Sequence, residues 1–398
     1  MDRGMNRIQE EIANGSNPNR GKRTLWGLVF AGCIFLFLVS LSLLSNSFSL
    51  LGESAADQLI RATSNPFIGL FVGILVTAVL QSSSTTTTMV VSMVAGGTLG
   101  DTLDVDTIGR AIPLIMGANI GTTVTSTIVS LGHIASKKEY RKAIAAATMH
   151  DFFNIMTVLV LFPLELAFGV LSKPVTYMAE GFTIAETTQG AFGFMDIAIS
   201  PLARGFNDLL GIFLPEQAVP FFGLGLALVI MFLSLRYITQ ILKNNILARE
   251  RTAIRKTLFE KPGKSLGWGT LITGLIQSSS VTTSLVVPMV ATGKVSMTKA
   301  FPFIMGANIG TTTTALLASF LIPGTNPRAA IAIALSHLLF NLIGVLILFP
   351  FPRIRALPVR LARKLGYATL SNRLVGILYI LCTFFLLPFL MVLFSGEA

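Results

Sequence analysis

One polar phrase, written twice, constrains this chain more than any other feature. Residues 81–97 read QSSSTTTTMVVSMVAGG and residues 277–293 read QSSSVTTSLVVPMVATG. Each is followed by a second shared phrase, PLIMGANIGTT from Pro113 and PFIMGANIGTT from Pro302. They lie between long apolar runs in a chain of 398 residues that is 52% hydrophobic and 12% charged, the balance of a polytopic membrane protein. Glutamine, serine and threonine placed in hydrocarbon cost free energy unless their polar groups are used. A duplicated phrase of this kind reads as a pair of half-sites.

The net charge of +11 would suggest nucleic acid in a soluble protein. Here Lys and Arg cluster in the connectors between apolar segments, where membrane topology places them, and nucleic acid is set aside as a partner. The two cysteines, Cys33 and Cys382, both fall in apolar segments, which argues against a disulfide framework or a thiolate metal site. The first apolar segment, from Leu25 to about Leu44, is long enough to span a bilayer and follows a basic leader, so it reads as an uncleaved first helix.

Charge along the chain assigns sides. The leader (Arg3, Arg7, Arg20, Lys22, Arg23) is placed in the cytoplasm, and the connectors holding Asp101, Asp104 and Asp106, and later Glu180, Glu186, Asp196, Asp208 and Glu216, are placed outside. Lys137, Lys138, Arg141 and Lys142, the run from Arg236 to Lys264, and Arg353 to Lys364 are placed inside. Each arm flanking a QSSS tip, about 15 residues at about 1.5 Å each, is too short to cross a core of about 30 Å and predicts a re-entrant hairpin. Helices interrupted near their middle are expected at 107–131 and 301–321, and further spans at 143–167, 219–241, 329–351 and 374–395.

The expected fold is an all-α polytopic membrane protein of two inverted-topology repeats, each with a re-entrant helical hairpin and a broken transmembrane helix. Residues 1–64 form the leader and first span, 65–167 the first repeat, and 168–261 a connector with one span and a basic cytoplasmic helix. Residues 262–352 form the second repeat and 353–398 a basic amphipathic segment with the last span. This places the protein in the inner (plasma) membrane with its N-terminus in the cytoplasm and its C-terminus outside.

From Gln81 and Gln277, roughly 12 of 20 positions are identical, and from Pro113 and Pro302 roughly 10 of 11. A third phrase pairs His150 with His337 and Asn154 with Asn341. The copies part where His150 is followed by Asp151 but His337 by Leu338. A carboxylate within a span is expensive and by default functional, so Asp151 marks a site present in one half. Helix ends inside the membrane offer N–H groups to an anion, while hydroxyl, amide and carbonyl oxygens can replace the hydration shell of a hard cation. Gln81, Ser82, Ser83, Ser84, Asn119, Thr122 and Thr123, with Gln277, Ser278, Ser279, Ser280, Asn308, Thr311 and Thr312, supply such groups in duplicate. Oxygen ligands without paired Cys or His favour Na⁺. The structural alternative, serines and threonines as interhelical glue with Gly117, Gly121, Gly306 and Gly310 as packing spacers, is disfavoured by the duplication with shared spacing.

The paired QSSS phrases, the paired GANIG-T-T phrases and HDFFN at 150–154 resemble the type II sodium-phosphate cotransporter family over 65–165 and 262–352. The resemblance implies a symporter of sodium and inorganic phosphate, usually a homodimer in the lipid bilayer, with sodium as the co-transported ion. By position, phosphate contacts would fall on Gln81, Ser82, Ser83, Ser84, Ser278, Ser279 and Ser280. Sodium contacts would fall on Thr122, Thr123, Asp151, Asn154, Gln277, Asn308, Thr311 and Thr314. Gly117, Asn119, Gly121, Gly306, Gly310 and Asn341 would have structural or gating roles. An Asp at the place of Asp151 implies an additional sodium and electrogenic transport. The alternatives are efflux, another oxyanion on the same scaffold, or, more distantly, an intramembrane hydrolase using His150, which lacks a GxSxG elbow; no enzyme is expected.

Overall fold

A computed structural model describes residues 20–50, 65–97, 103–181, 199–247, 258–322 and 326–394. Much of the leader, Glu53, Asp57, Arg61, Asp101, Glu186, Asp196 and the basic run at 249–256 therefore lie outside the described residues. All of the described elements are helical. Among the described residues, six helices are long and apolar enough to cross a membrane: Trp26–Leu44, Val105–Leu131, Lys137–Phe168, Met297–Leu321, Pro327–Leu348 and Leu374–Phe394. The further span expected at 219–241 falls in a helix whose shorter stretch Val219–Met231 is apolar.

The first helix, α1 (Arg20–Leu50), packs chiefly along α9 (Val219–Leu247) and beside α8 (Ser200–Phe213), and it also touches the first duplicated phrase at Ser83–Ala95. The first copy opens with α2 (Pro66–Leu80), started by Asn65, whose side chain accepts the Phe67 amide at 3.0 Å, and by proline in the first turn. A turn at Gln81 and Ser82 leads into α3 (Ser83–Ala95). Asp104 caps α4 (Val105–Gly121), accepting the Thr107 amide at 2.7 Å. Thr122 and Thr123 separate α4 from α5 (Val124–Leu131). Ser136 caps the start of α6 (Lys137–Phe168), its hydroxyl accepting the Glu139 amide at 3.4 Å, and the helix ends on left-handed Gly169 (φ 63°). The buried Glu165 carboxylate then accepts the Leu171 and Ser172 amides at 2.6 and 3.2 Å, placing an anion at the N-terminus of α7 (Ser172–Glu180).

The second copy repeats the design with α10 (Pro262–Ile276), a turn at Gln277 and Ser278, α11 (Ser279–Ala291), α12 (Met297–Leu321) and α13 (Pro327–Leu348). It is followed by α14 (Pro352–Ser371), whose Arg353, Arg360, Arg363 and Lys364 are exposed, and by α15 (Leu374–Leu381) and α16 (Leu387–Phe394), joined through a π-helical turn, Cys382–Leu386.

The expectation of a broken helix at 301–321 is corrected: α12 is continuous where its counterpart divides into α4 and α5. The reason is one side chain. In the first copy Asn154 Nδ2 donates to the Asn119 carbonyl at 2.5 Å, and the Thr123 amide, the usual helical donor to that carbonyl, turns to Ile120 O at 3.3 Å. The matching Asn341 instead donates to the Asn119 side chain and to His337 O, which leaves the α12 backbone whole.

Packing is reciprocal. α2 lies along α4 as α10 lies along α12, while α3 packs on α13 of the other copy and α11 on α6. The Asn326 amide also donates to Ala95 O at 3.1 Å, fixing the end of α3 to the start of α13. Burial grades from centre to edge: 78% of the window in Val105–Leu131 is buried against 17% in Leu374–Phe394, whose Leu378, Leu381, Leu387 and Phe389 face outward. The duplicated phrases thus occupy the middle of the molecule.

Candidate functional site

The two QSSS turns have one backbone conformation. Gln81 (φ 54°, ψ 27°) and Gln277 (φ 57°, ψ 26°) are left-handed, and among the described residues they are the only non-glycine residues with positive φ. Ser82 and Ser278 follow in extended geometry and cap α3 and α11, accepting the Thr85 amide at 3.2 Å and the Val281 amide at 3.4 Å. The turns meet: Ser84 Oγ donates to the Gln277 carbonyl at 3.2 Å. Ser83 and Ser279 are buried in the first turns, Ser280 and Gln277 are half-buried, and Gln81 is exposed. The first amides of α3 and α11, at Ser83, Ser84, Ser279 and Ser280, have no acceptor within their helices, as at any helix start. Two positive helix ends therefore lie beside hydroxyl groups.

The glycines of the second phrase bring backbones into contact. A Cβ on Gly117 would run into Leu70 O, and one on Gly306 into Leu266 O. On Gly121 it would lie 2.6 Å from Ile74 O, and on Gly310 2.8 Å from Gly274 N. Only hydrogen fits at these positions if α2 and α10 are to lie against α4 and α12.

Between the copies runs a buried amide and imidazole network. His150 Nε2 bonds Asn308 Oδ1; Asn308 Nδ2 donates to Asn154 Oδ1 at 2.6 Å, and Asn154 reaches Asn119 as described. From the other side His337 Nε2 donates to Asn119 Oδ1 at 3.3 Å and Asn341 Nδ2 to the same oxygen at 3.1 Å. Each histidine thus addresses the asparagine of the other copy's GANIG phrase. His150 Nδ1, His337 Nδ1 and Asn341 Oδ1 are buried without a partner.

Asp151, one helical turn before Asn154, breaks the symmetry. Its carboxylate is fully buried, with neither oxygen in an aligned hydrogen bond, although the hydroxyls of Thr123, Thr127 and Tyr379 lie against it. Thr123 and Thr127 donate instead to Ile120 O at 2.8 Å and Thr123 O at 3.0 Å. Each of these hydroxyls thus stands between a backbone carbonyl and the carboxylate.

The remaining threonines follow the repeat. Thr122 Oγ1 donates to Ala118 O at 2.8 Å and Thr311 Oγ1 to Ala307 O at 2.9 Å. Thr314 Oγ1 is buried with no partner, and so is Oγ1 of its counterpart Thr125, which sequence reasoning passed over. The same holds for Thr88 and Ser284. Aligning the copies beyond their identical letters would have found both pairs. Ser126 Oγ and Thr283 Oγ1, also unremarked, bond at 2.7 Å across the copies. Apart from Thr122, Thr311, Thr314 and the close-packed glycines, the expected residues fall into three groups: the paired tips, the asparagine and histidine network, and Asp151 with Thr123.

The chain matches the family model described as Na+/Pi-cotransporter over residues 36–199 and 221–371. It is 32% identical over 448 residues to sodium-dependent phosphate transport protein 2B of Pongo abelii, covering 91% of this chain and 64% of that protein. It is 33% identical over 424 residues to sodium-dependent phosphate transport protein 2A of Mus musculus, covering 89% and 65%. The chain therefore spans a little under two thirds of the length of these relatives. No solved structure matches it. Because the family match takes in both QSSS tips, both GANIG phrases and the helices that carry His150 and His337, the chain belongs to the Na+/Pi-cotransporter family.

Proposed function

We propose that the protein is a secondary active symporter that couples sodium entry to uptake of inorganic phosphate by alternating access. The relatives' names, sodium-dependent phosphate transport proteins, support the substrate pair. The observation that carries the reading is the meeting of the two tips, where Ser84 bonds the Gln277 carbonyl and two helix N-termini stand beside serine hydroxyls. Ser82 to Ser84 and Ser278 to Ser280, with Gln81, receive the phosphate through hydroxyl and backbone donors. Arms of 15 and 13 residues in each helix pair are shorter than the hydrocarbon core and suit re-entrant hairpins, one from each face, in inverted repeats at 65–167 and 262–352.

Sodium is held by oxygens in the adjoining helices: Gln277, Asn308, Thr311 and Thr314 in the second copy, Thr122, Thr123, Asp151 and Asn154 in the first. The unpaired Asp151 carboxylate supports a cation bound in one half alone and hence electrogenic transport. With about three sodium ions per divalent phosphate, a tenfold sodium gradient supplies about 4 kcal/mol and 100 mV about 2.3 more, enough for roughly four to five decades of phosphate. The protein acts in the plasma membrane, as a homodimer, with its N-terminus in the cytoplasm.

Labelled phosphate uptake into proteoliposomes, with and without an inward sodium gradient, tests the reading. Uptake that ignores the sodium gradient would overturn it.

A further inference from the structure

The last helix stands outside both copies of the duplicated sequence, yet it sends one polar atom into the first. The Tyr379 hydroxyl on α15 is buried, has no aligned hydrogen-bond partner, and lies against the Asp151 carboxylate. A buried hydroxyl left in this state calls for an explanation. Its direction is set by packing: the ring meets Phe384 edge-on at 6.3 Å and 90°, and Phe152, the neighbour of Asp151, at 6.2 Å and 36°. Three residues further on, the helix adopts the π-helical turn Cys382–Leu386, an irregularity often found at functional sites.

The chemistry around Asp151 is a surplus of oxygen. Thr123 and Thr127 each stand within donor distance of a backbone carbonyl as well as against the carboxylate, and a proton given to the carbonyl leaves a lone pair facing Asp151. Oxygens from the α4–α5 break, from α6 and from α15 converge there, and the Tyr379 hydroxyl, which has no backbone carbonyl to serve, faces the carboxylate. Such a set repels itself until a hard cation enters, and carboxylate and hydroxyl oxygens suit one.

We infer that the Tyr379 hydroxyl is a further oxygen ligand of the cation site at Asp151, so that sodium bound there ties the last helix to the first repeat. The inference rests on the proposal that Asp151 holds sodium. It gives α15 a part in coupling that the repeats alone do not contain: a helix with most of its surface turned outward contributes to the cation's shell.

The test uses the purified full-length protein, with sodium binding followed by radiolabelled Na⁺ and sodium activation of phosphate uptake measured in proteoliposomes. Tyr379→Phe is expected to weaken sodium affinity by roughly tenfold, the scale of one lost contact to a charged group, with the phosphate KM at saturating sodium unchanged. Added to Asp151→Asn, it is expected to cause no further loss. Tyr379→Leu, checked for folding by gel filtration and thermal unfolding, should match Tyr379→Phe in sodium affinity. Wild-type sodium binding in Tyr379→Phe, a loss confined to Tyr379→Leu, or losses that add to that of Asp151→Asn would each overturn the inference. If Asp151→Asn weakens sodium binding and Tyr379→Phe does not, the inference falls while the Asp151 proposal stands. If Asp151→Asn has no effect, both fall.

Discussion

Asn154 Nδ2 donates to the backbone carbonyl of Asn119 at 2.5 Å and thereby takes the acceptor that would otherwise carry the α4 helix through Thr123. A side chain on one helix sets the break in another. Asn154→Ala should return the carbonyl to the Thr123 amide and leave Asn308 Nδ2 without its partner, at a cost of about 1–3 kcal/mol. Hydrogen exchange at Thr123 is expected to slow while transport is lost. Unchanged exchange would refute this account of the break. Asn341→Ala, whose acceptor Asn119 Oδ1 keeps the His337 donor, should cost less.

Asp151 is expected to carry voltage dependence more than phosphate recognition. In Asp151→Asn or Asp151→Gly, phosphate KM should move little while the charge carried per phosphate falls, as read by currents on proteoliposomes beside tracer flux. An unaltered charge-to-phosphate ratio would count against the proposed cation site.

The glycines divide sharply. Gly117→Ala and Gly306→Ala each drive a methyl group into a backbone carbonyl, and each should destabilise by about 1–3 kcal/mol or more and abolish uptake. Gly109 has open space around its would-be Cβ, so Gly109→Ala should be tolerated and raise stability by up to about 1 kcal/mol through helix propensity. Thermal unfolding of the three variants checks the contrast.

Left-handed Gln81 and Gln277 store backbone strain where the tips meet, a cost of about 1–2 kcal/mol for each residue. Glycine carries no such penalty, so Gln277→Gly should unfold at an equal or higher temperature than the native chain while losing sodium-driven uptake. A variant that is both less stable and fully active would contradict the view that the conformation is kept for the amide.

The helical arms on either side of Gln81 and Gln277 are legible in the sequence because duplication marks their limits and Pro66 marks the first start; the second arm begins at Pro262, four residues before its apolar run at Leu266. The grouping of Asn119 with Asn308 is half legible: repetition picks out both residues, but it cannot say that His150 bonds the asparagine of the opposite copy. The continuity of α12 is illegible for a physical reason. GANIGTT reads alike in both halves, and the break is decided by where Asn154 and Asn341 place their amides, a tertiary matter. Tyr379 escapes notice because it has no counterpart in the repeat and looks like one more aromatic in an apolar span.

The reciprocal packing of α3 on α13 and α11 on α6 also bears on how the molecule is made. When the first copy leaves the ribosome, the face of α3 that α13 will cover is still open, and His150 has not yet met Asn308. Synthesis must run through 308 before His150 finds its asparagine, and through 337 before His337 finds Asn119. Until then the first half waits in the membrane as an incomplete surface, within reach of whatever cellular machinery guards unfinished helices.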